Sequence, residues 1–410
     1  MEQQHTIVII GAGQAGGWAA RTLRAEGYAG RVLLCGDETA PPYERPPLSK
    51  EQLAAQAPAL PSLMDAAQLA ELHIDWLGGA AATRIDRAGR QVLLGDGQAL
   101  RYDALILCTG GRPRLPPLPG ADLPCVHTLR TIDDAARLRA AFDGAPRVAV
   151  LGGGWIGLEV AAAARQRGCE VVLLEAADRL CARSGPGLLS ETLARLHAGQ
   201  GVDLRLNARV QRIDAHGRGC RLALADGQGI EADIVVAGVG LVRNDELARQ
   251  AGLACCHGVI VDDACRTSDP DIYAAGDVAV MAGPDGKLAG LESWQNAQDQ
   301  GIAAARAALG QAVRYAPLPF FWSQQYDTLV QMAGASEPGA ELVLRQGGPA
   351  QLLCVEMRAD GRAAAVLGVN AAREFRQLRK YIAEGARLDA RRLADPRSPL
   401  AGAVLGEAAA

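Results

Sequence analysis

Short apolar runs alternate along this chain with longer segments of mixed polarity. Runs of four or five mostly apolar residues fall at 6–10, 31–34, 104–107, 148–151, 171–174 and 234–237. At that length, and without polar alternation, they read as strands covered on both faces. Alanine-rich stretches with helical spacing lie between several of them, as at 15–26 and 156–166. Strand and helix alternating in this way predict an α/β fold with mostly parallel sheets. From Pro317 onward the pattern changes: aromatic residues, alternating strands at 341–345, 351–355 and 363–369, then a basic helix and a proline-containing tail. That stretch reads as a separate α+β domain.

Two of the strand runs end in the same glycine spacing. Gly11-Ala12-Gly13-Gln14-Ala15-Gly16 follows 6–10, and Gly152-Gly153-Gly154-Trp155-Ile156-Gly157 follows 148–151. Each precedes a helical segment, and each unit reaches an acid at the end of its next strand: Asp37 and Glu38 in the first, Glu175 in the second. A lone Gly-x-Gly-x-x-Gly is weak, because glycine turns arise by chance. The strand, helix and carboxylate around both copies make them dinucleotide fingerprints. The first glycine permits the tight turn, the second lets a pyrophosphate approach the backbone, and the third lets helix and strand pack closely. The pyrophosphate rests on free N–H groups at the helix start, and the carboxylate takes ribose hydroxyls. Two such units predict two dinucleotides held together, and so electron transfer between them. The proline-rich stretch 112–120 and residues 240–244 read as crossings between domains.

Composition narrows the class. A length of 410 residues predicts two or three domains. A net charge of −4 argues against a nucleic-acid partner. No apolar stretch has the length of a membrane span, and Met1-Glu2-Gln3-Gln4-His5 lacks the basic region of a signal peptide, so a cytoplasmic protein is expected. The ten cysteines are scattered without a Cys-x-x-Cys pair, which predicts reduced thiols and neither a zinc ribbon nor a thioredoxin-type couple. No metal site is expected.

Longer segments carry more. Tyr43-Glu44-Arg45-Pro46-Pro47-Leu48-Ser49-Lys50, Cys108-Thr109-Gly110-Gly111-Arg112-Pro113-Arg114 and Leu129-Arg130-Thr131 stand in the first third of the chain. Gly154-Trp155-Ile156-Gly157-Leu158-Glu159, Ala275-Gly276-Asp277-Val278, Glu292-Ser293-Trp294-Gln295-Asn296-Ala297 and Phe321-Trp322-Ser323 follow. Together they resemble the FAD-dependent, NADH-consuming ferredoxin reductases of the pyridine nucleotide–disulfide oxidoreductase superfamily. The likeness is greatest to the putidaredoxin-reductase-like components of multicomponent aromatic ring-hydroxylating dioxygenases, and it spans essentially the whole chain. It implies two Rossmann-like dinucleotide-binding domains and a C-terminal α+β domain. The NAD domain (114–242) is inserted in a discontinuous FAD domain (1–113 and 243–316), and the C-terminal domain covers 317–410.

The resemblance also implies site residues. Gly11, Gly13, Gln14, Ala15 and Gly16 would bind FAD, with Asp37 and Glu38. Arg45, Lys50, Ala82, Thr109, Gly110 and Arg130 would join them, and Gly276, Asp277, Trp294, Ala297 and Trp322 would close the flavin site from far along the chain. Asp277 is expected on the ribityl hydroxyls. The helix starting near Trp294 is expected to point its positive end at the flavin, which stabilises the anionic reduced form. The implied NAD set is Gly152, Gly154, Trp155, Ile156, Gly157, Glu159 and Glu175, with Arg183, Gly238, Gly240 and Glu292. Trp155 fills a position where some relatives carry a smaller residue and others a tyrosine, next to the nicotinamide path.

Lys50 and Glu159 are the implied catalytic pair, the lysine beside the flavin and the glutamate holding it there. On the residues alone, Lys50 reads as a surface lysine, Glu159 as a solvated helix residue and Asp277 as a turn or capping aspartate. Disulfide reductases of the superfamily carry a cysteine pair after the first fingerprint helix, and NADH peroxidases and oxidases a single one, whereas 38–50 has none here. Hydride received at FAD then has no thiol to go to, and delivery to an outside one-electron carrier follows.

The implied activity is NADH:ferredoxin oxidoreductase, passing single electrons to a [2Fe–2S] ferredoxin and through it to a terminal Rieske-type oxygenase. A reductase for a rubredoxin, or for the ferredoxin of a haem monooxygenase, is the alternative enzyme. A signalling flavoprotein resembling apoptosis-inducing factor is the alternative of another class, and the net acidity without basic runs weighs against it. A monomer or homodimer is expected. Arg373, Arg376, Arg379 and Lys380 recur at i, i+3, i+6 and i+7, which predicts one basic helical face. Ferredoxins of this kind are usually acidic, so that face is the expected docking surface.

Overall fold

The computed structural model describes residues 5–283, 286–348 and 350–405. Thr6–Ile10 is the middle strand of a five-stranded parallel sheet, in the order Ile272–Ala274, Ala104–Leu107, Thr6–Ile10, Arg31–Cys35, Ile74–Leu77. Ile7, Val8 and Ile9 are fully buried, because helices and loops cover both sheet faces. The second fingerprint strand, Arg147–Leu151, is likewise the middle of a parallel sheet, ordered Val126–His127, Ile234–Ala237, Arg147–Leu151, Glu170–Leu174, Asp203–Arg205. The four strands from the second to the last correspond one to one in the two sheets. The outer strand differs: the first sheet takes it from late in the chain, and the second from just before its fingerprint. Ile272–Ala274 thus returns the chain to the first sheet after the second is complete. The crossing is an antiparallel pair, Gly111–Pro113 with Leu241–Arg243.

Each unit also carries a three-stranded antiparallel meander that the apolar pattern did not predict. Ala82–Asp86, Gln91–Leu94 and Ala99–Arg101 form the first, and Val210–His216, Gly219–Leu224 and Gly229–Ala232 the second. Their strands are half exposed, with buried residues separated by exposed ones, so no continuous apolar run marks them.

The C-terminal sheet is antiparallel, in the order Phe320–Gln325, Thr328–Gly334, Ala363–Val369, Gln351–Met357, Glu341–Gly348. The first two strands had not been expected. The basic helix, Ala372–Ala383, buries Phe375 and Leu378 against this sheet. Arg345 lies buried behind the sheet and donates to the carbonyls of Leu393, Asp395, Pro396 and Ser398 at 3.2, 2.6, 3.2 and 2.9 Å, which ties down the tail.

The fingerprint helix Gln14–Ala25 and the helix Trp294–Ala308 cross at very short range. A Cβ on Gly301 would lie 2.4 Å from the Ala15 carbonyl oxygen. Alanine in an open helix is better than glycine by about 1 kcal/mol. Here it must part the two helices, which costs about 1–3 kcal/mol. Gly301→Ala is therefore expected to lower the urea midpoint of the FAD-loaded protein and to weaken FAD retention. An unchanged or raised midpoint would show that the crossing yields freely.

Candidate dinucleotide cleft

One cleft of about 1180 Å³ runs from the first fingerprint to the second and is lined in part by Phe320, Phe321 and Trp322. The glycines divide by what they face. Gly11 sits at φ +102°, and its Cβ would lie 2.1 Å from the Cys108 carbonyl oxygen. Cβ atoms on Gly16 and Gly157 would meet the carbonyl oxygens of Gly11 and Gly152 at 1.9 and 2.0 Å. The protein's own packing requires these residues. The middle glycines are different: a Cβ on Gly13 meets nothing closer than Arg45 at 3.8 Å, and on Gly154 nothing within 4 Å. Both are the N-caps of their helices and supply no capping side chain, which leaves first-turn N–H groups open toward the cleft. Space and donors together fit a pyrophosphate at each fingerprint.

The two strand-end acids are held differently. Glu38 accepts from Arg45 Nη2 at 2.7 Å and from the Tyr43 hydroxyl, while Asp37 beside it is exposed. Burial pushes the Tyr43 phenol up, so it remains a donor. Glu175 accepts from the backbone N–H groups of Gly153 and Ala177 at 2.6 and 2.7 Å. No side-chain cation is among these contacts.

The chain that closes the first half is stitched by polar pairs. Arg130 meets Asp277 at 3.0 Å. Arg243 donates to the Asp277 carbonyl at 2.7 Å and pairs with Glu292 at 2.8 Å. Asn244 Nδ2 donates to the Thr109 carbonyl at 3.0 Å, and Thr109 Oγ1 donates back to the Asn244 carbonyl at 2.7 Å, which pins the Thr109-Gly110 turn. With its amide oriented to satisfy both, Gln14 accepts from the indole N–H groups of Trp294 and Trp18 at 2.9 and 3.0 Å. The helix Trp294–Ala308 starts in the cleft and is capped by Ser293 Oγ, 3.2 Å from the Asn296 N–H.

Lys50 and Glu159 meet between the fingerprints. Lys50 Nζ lies 2.8 Å from Glu159 Oε2, with side chains 11% and 3% exposed. The ammonium also donates to the Pro46 carbonyl at 3.0 Å and sits 4.9 Å from the Trp322 ring centroid. Ser49 donates to Glu159 Oε2, and Ser323 to Oε1 at 2.5 Å. Glu159 is therefore a buried, fully answered carboxylate and not a solvated helix residue. Trp155 stacks obliquely on Phe321, with centroids 4.8 Å apart.

Among the residues expected at the site, Gly16 and Gly157 pack behind the cleft wall, and Ala82 lies outside it. Ala82 opens the first meander and is half-buried against the core of the first sheet. The others line the cleft. Ser49, Ser323, Arg243 and Asn244 had not been singled out. Cys108 and Cys181 also line it, and burial pushes both thiols up, Cys181 to about 12. They stay protonated, and all ten cysteines are free. Among the described residues no group of metal-ligating side chains occurs, and no helix is long and apolar enough to cross a membrane.

Residues 5–301 match the family described as pyridine nucleotide-disulphide oxidoreductase, and 320–404 the one described as reductase C-terminal. The chain is similar to rhodocoxin reductase from Rhodococcus erythropolis, 41% identical over 394 residues, 95% of this chain and 92% of that one. It is 38% identical over 401 residues to the ferredoxin–NAD(+) reductase component of the biphenyl dioxygenase system of Paraburkholderia xenovorans, 96% of this chain and 97% of that one. Among solved structures it resembles the ferredoxin reductase for the CYP199A2 system from Rhodopseudomonas palustris, with TM-score 0.92, 35% identity and 98% and 100% of the two chains covered. A covalent putidaredoxin reductase–putidaredoxin complex matches with TM-score 0.92, 36% identity and 97% and 99% covered. The chain belongs to the pyridine nucleotide-disulphide oxidoreductase family, as an oxidoreductase that uses FAD and NADH.

Proposed function

We propose that this protein is an NADH:ferredoxin oxidoreductase whose [2Fe–2S] ferredoxin feeds an aromatic ring-hydroxylating dioxygenase. The observation that carries the reading is the Lys50–Glu159 pair, set between the two fingerprints under Trp322 with no reactive thiol beside it. FAD, when bound, takes a hydride from NADH and gives its electrons up one at a time. The chain's own residues bind, orient and exclude water. The open N–H groups at Gly13 and Gly154 seat the two pyrophosphates, with FAD at the first and NADH at the second. Lys50 presents a cation in the space between them, and Glu159 fixes its direction. The start of the helix Trp294–Ala308 adds its positive end to the same space. Trp155 and Phe321 cover the nicotinamide side.

A second reading, a reductase for the ferredoxin of a haem monooxygenase, draws on the rhodocoxin reductase and CYP199A2-system relatives at comparable identity. Turnover with one purified ferredoxin from each kind of system separates the two. The dioxygenase reading expects the higher kcat/KM with the dioxygenase ferredoxin, and the reverse order overturns it.

Glu175, whose contacts are backbone N–H groups and no side-chain cation, would meet a 2′-phosphate as like charge, so NADH should be preferred over NADPH by at least about a hundredfold in kcat/KM. Comparable values for the two nucleotides would sink this assignment.

Lys50 and Glu159 should behave as one unit. Lys50→Met and Glu159→Gln are each expected to slow flavin reduction more than they weaken FAD retention, and the double variant should lose less than the sum. Stopped-flow rates that fall additively would separate the two roles.

The basic helix reaches the cleft mouth. Arg379 Cζ lies 4.3 Å from the ring centroid of Phe320, which lines the cleft, and Arg373, Arg376 and Lys380 are exposed. Reversing charge at Arg376 and Arg379 should lower ferredoxin kcat/KM about tenfold at low salt and flatten its salt dependence. NADH-driven ferricyanide reduction should stay unchanged. A salt dependence like that of the unmodified protein would place docking on another surface.

A further inference from the structure

The strand Phe320–Gln325 presents alternate residues to the second fingerprint helix, Trp155–Gln166. Phe321 and Ser323 stand about 7 Å apart on a strand, and Trp155 and Glu159 about 6 Å apart on a helix, so the two spacings match. Phe321 meets Trp155, and Ser323 Oγ reaches Glu159 Oε1 at 2.5 Å. Behind Ser323 the polar line continues. Gln325 Nε2 lies 3.0 Å from Ser323 Oγ, and His197 Nε2 lies 2.8 Å from Gln325 Oε1. Ser323, Gln325 and His197 are each 1% exposed or less.

The directions of these bonds follow from what each group can do. An ionised carboxylate only accepts, so the single hydroxyl proton of Ser323 goes to Glu159. The Ser323 oxygen is then an acceptor, and Gln325 turns its NH₂ toward it. That leaves the Gln325 carbonyl oxygen facing His197, which must carry its proton on Nε2. His197 Nδ1 is buried without a partner, and burial lowers the ring's pKa, so the imidazole is neutral. Every donor points the same way, from the helix Gly187–Gly199 through the C-terminal sheet to the carboxylate. Apolar residues of similar shape would fill such a place at little or no loss of stability. A chain of this kind has a use at its end. Among the described residues Lys50 and Ser49 hold Oε2 of Glu159 and Ser323 alone holds Oε1, so Ser323 stops the carboxylate from turning.

We infer that Ser323 is a positioning residue for the Lys50–Glu159 pair, its hydroxyl aimed by Gln325 and neutral His197. The C-terminal domain then takes part in flavin reduction and not only in meeting the electron acceptor. This rests on the reading that the pair serves hydride transfer.

The test uses the full-length, FAD-loaded protein with Ser323→Ala, Ser323→Thr, Glu159→Gln and Ser323→Ala on Glu159→Gln. Single-turnover flavin bleaching by NADH is followed together with FAD content and the visible flavin spectrum. Ser323→Ala should lower the limiting rate about tenfold, in line with loss of a bond to a charged group, with NADH affinity and FAD content unchanged. Ser323→Thr, which keeps the hydroxyl, should restore most of the rate. On Glu159→Gln, Ser323→Ala should add nothing, because its route of action is gone. An equal slowing in both backgrounds shows a general packing role and overturns the inference, as does a Ser323→Ala rate like that of the unmodified protein. If Glu159→Gln alone reduces at the full rate, the reading of the pair falls, and this inference with it. Imidazole ¹⁵N shifts supply a readout apart from turnover: His197 should be the neutral Nε2–H tautomer between pH 6 and 8, and a cation or the other tautomer overturns the assigned directions.

Discussion

A carboxylate that is 3% exposed has to be answered by donors, and the answers to Glu159 come from separate parts of the chain. Lys50 and Ser49 come from the segment between the strands Arg31–Cys35 and Ile74–Leu77 of the first Rossmann unit, Ser323 from the C-terminal sheet, and Glu159 itself from the second fingerprint helix. Removing one partner of such a buried pair costs about 3–5 kcal/mol, because the other charge is left uncompensated. Docking the three regions in any other way would leave that carboxylate or Lys50 in the same position. The constraint therefore acts on domain placement as much as on chemistry. It brings the two fingerprints onto one cleft and sets Trp322 over the ammonium.

The two Rossmann units show how one motif can be tuned by its neighbours. In both, the first and third glycines answer to backbone contacts inside the protein, and the middle glycine answers to open space. The acids after them differ. Glu38 is partly neutralised by Arg45 and tied to Tyr43, whereas Glu175 is fixed by two backbone N–H groups. A carboxylate paired with arginine tolerates further negative charge nearby, and one held only by amides does not. What surrounds the two acids thus differs, and the Gly-x-Gly-x-x-Gly spacing is silent on it.

The strands of the two parallel sheets are legible in the sequence because burial on both faces leaves continuous apolar runs. The bounds at 6–10, 104–107 and 234–237 agree with the structure, and those at 31–34, 148–151 and 171–174 differ by one residue. The meanders escaped because their strands are half exposed and carry no continuous apolar run. Asp96-Gly97 and Asp226-Gly227, each between two short runs, were the available signal for their hairpins, with both glycines at positive φ. Phe320–Gln325 escaped because Phe-Phe-Trp-Ser-Gln-Gln shows no alternation. Lys50 and Glu159 are 109 residues apart, and no local pattern joins them, so they were found only through the family resemblance. That route also carried over Ala82, which landed on a surface meander. Ser323 stood in the segment Phe321-Trp322-Ser323 without a role of its own, and Gln325 and His197 had no signal, since a buried polar line exists only once three regions have met.

The strand Phe320–Gln325 gives this site its two sides. Phe320 and Trp322 face the cations Arg379 and Lys50, while Phe321 and Ser323 face Trp155 and Glu159. A slip of one residue would exchange both sets at once, so register matters here more than at most strands. It is set by a tight hairpin in which Gln325 pairs with Thr328 across Tyr326 and Asp327. Tyr326 sits at φ +53°, a conformation that costs a bulky residue on the order of 1–3 kcal/mol and persists only where surroundings enforce it. Its ring lies edge-on to His197, with centroids 5.5 Å apart. The histidine that ends the polar line thus also packs against the turn that sets its register, and the strained turn, the strand and the Glu159 carboxylate hold one another in place.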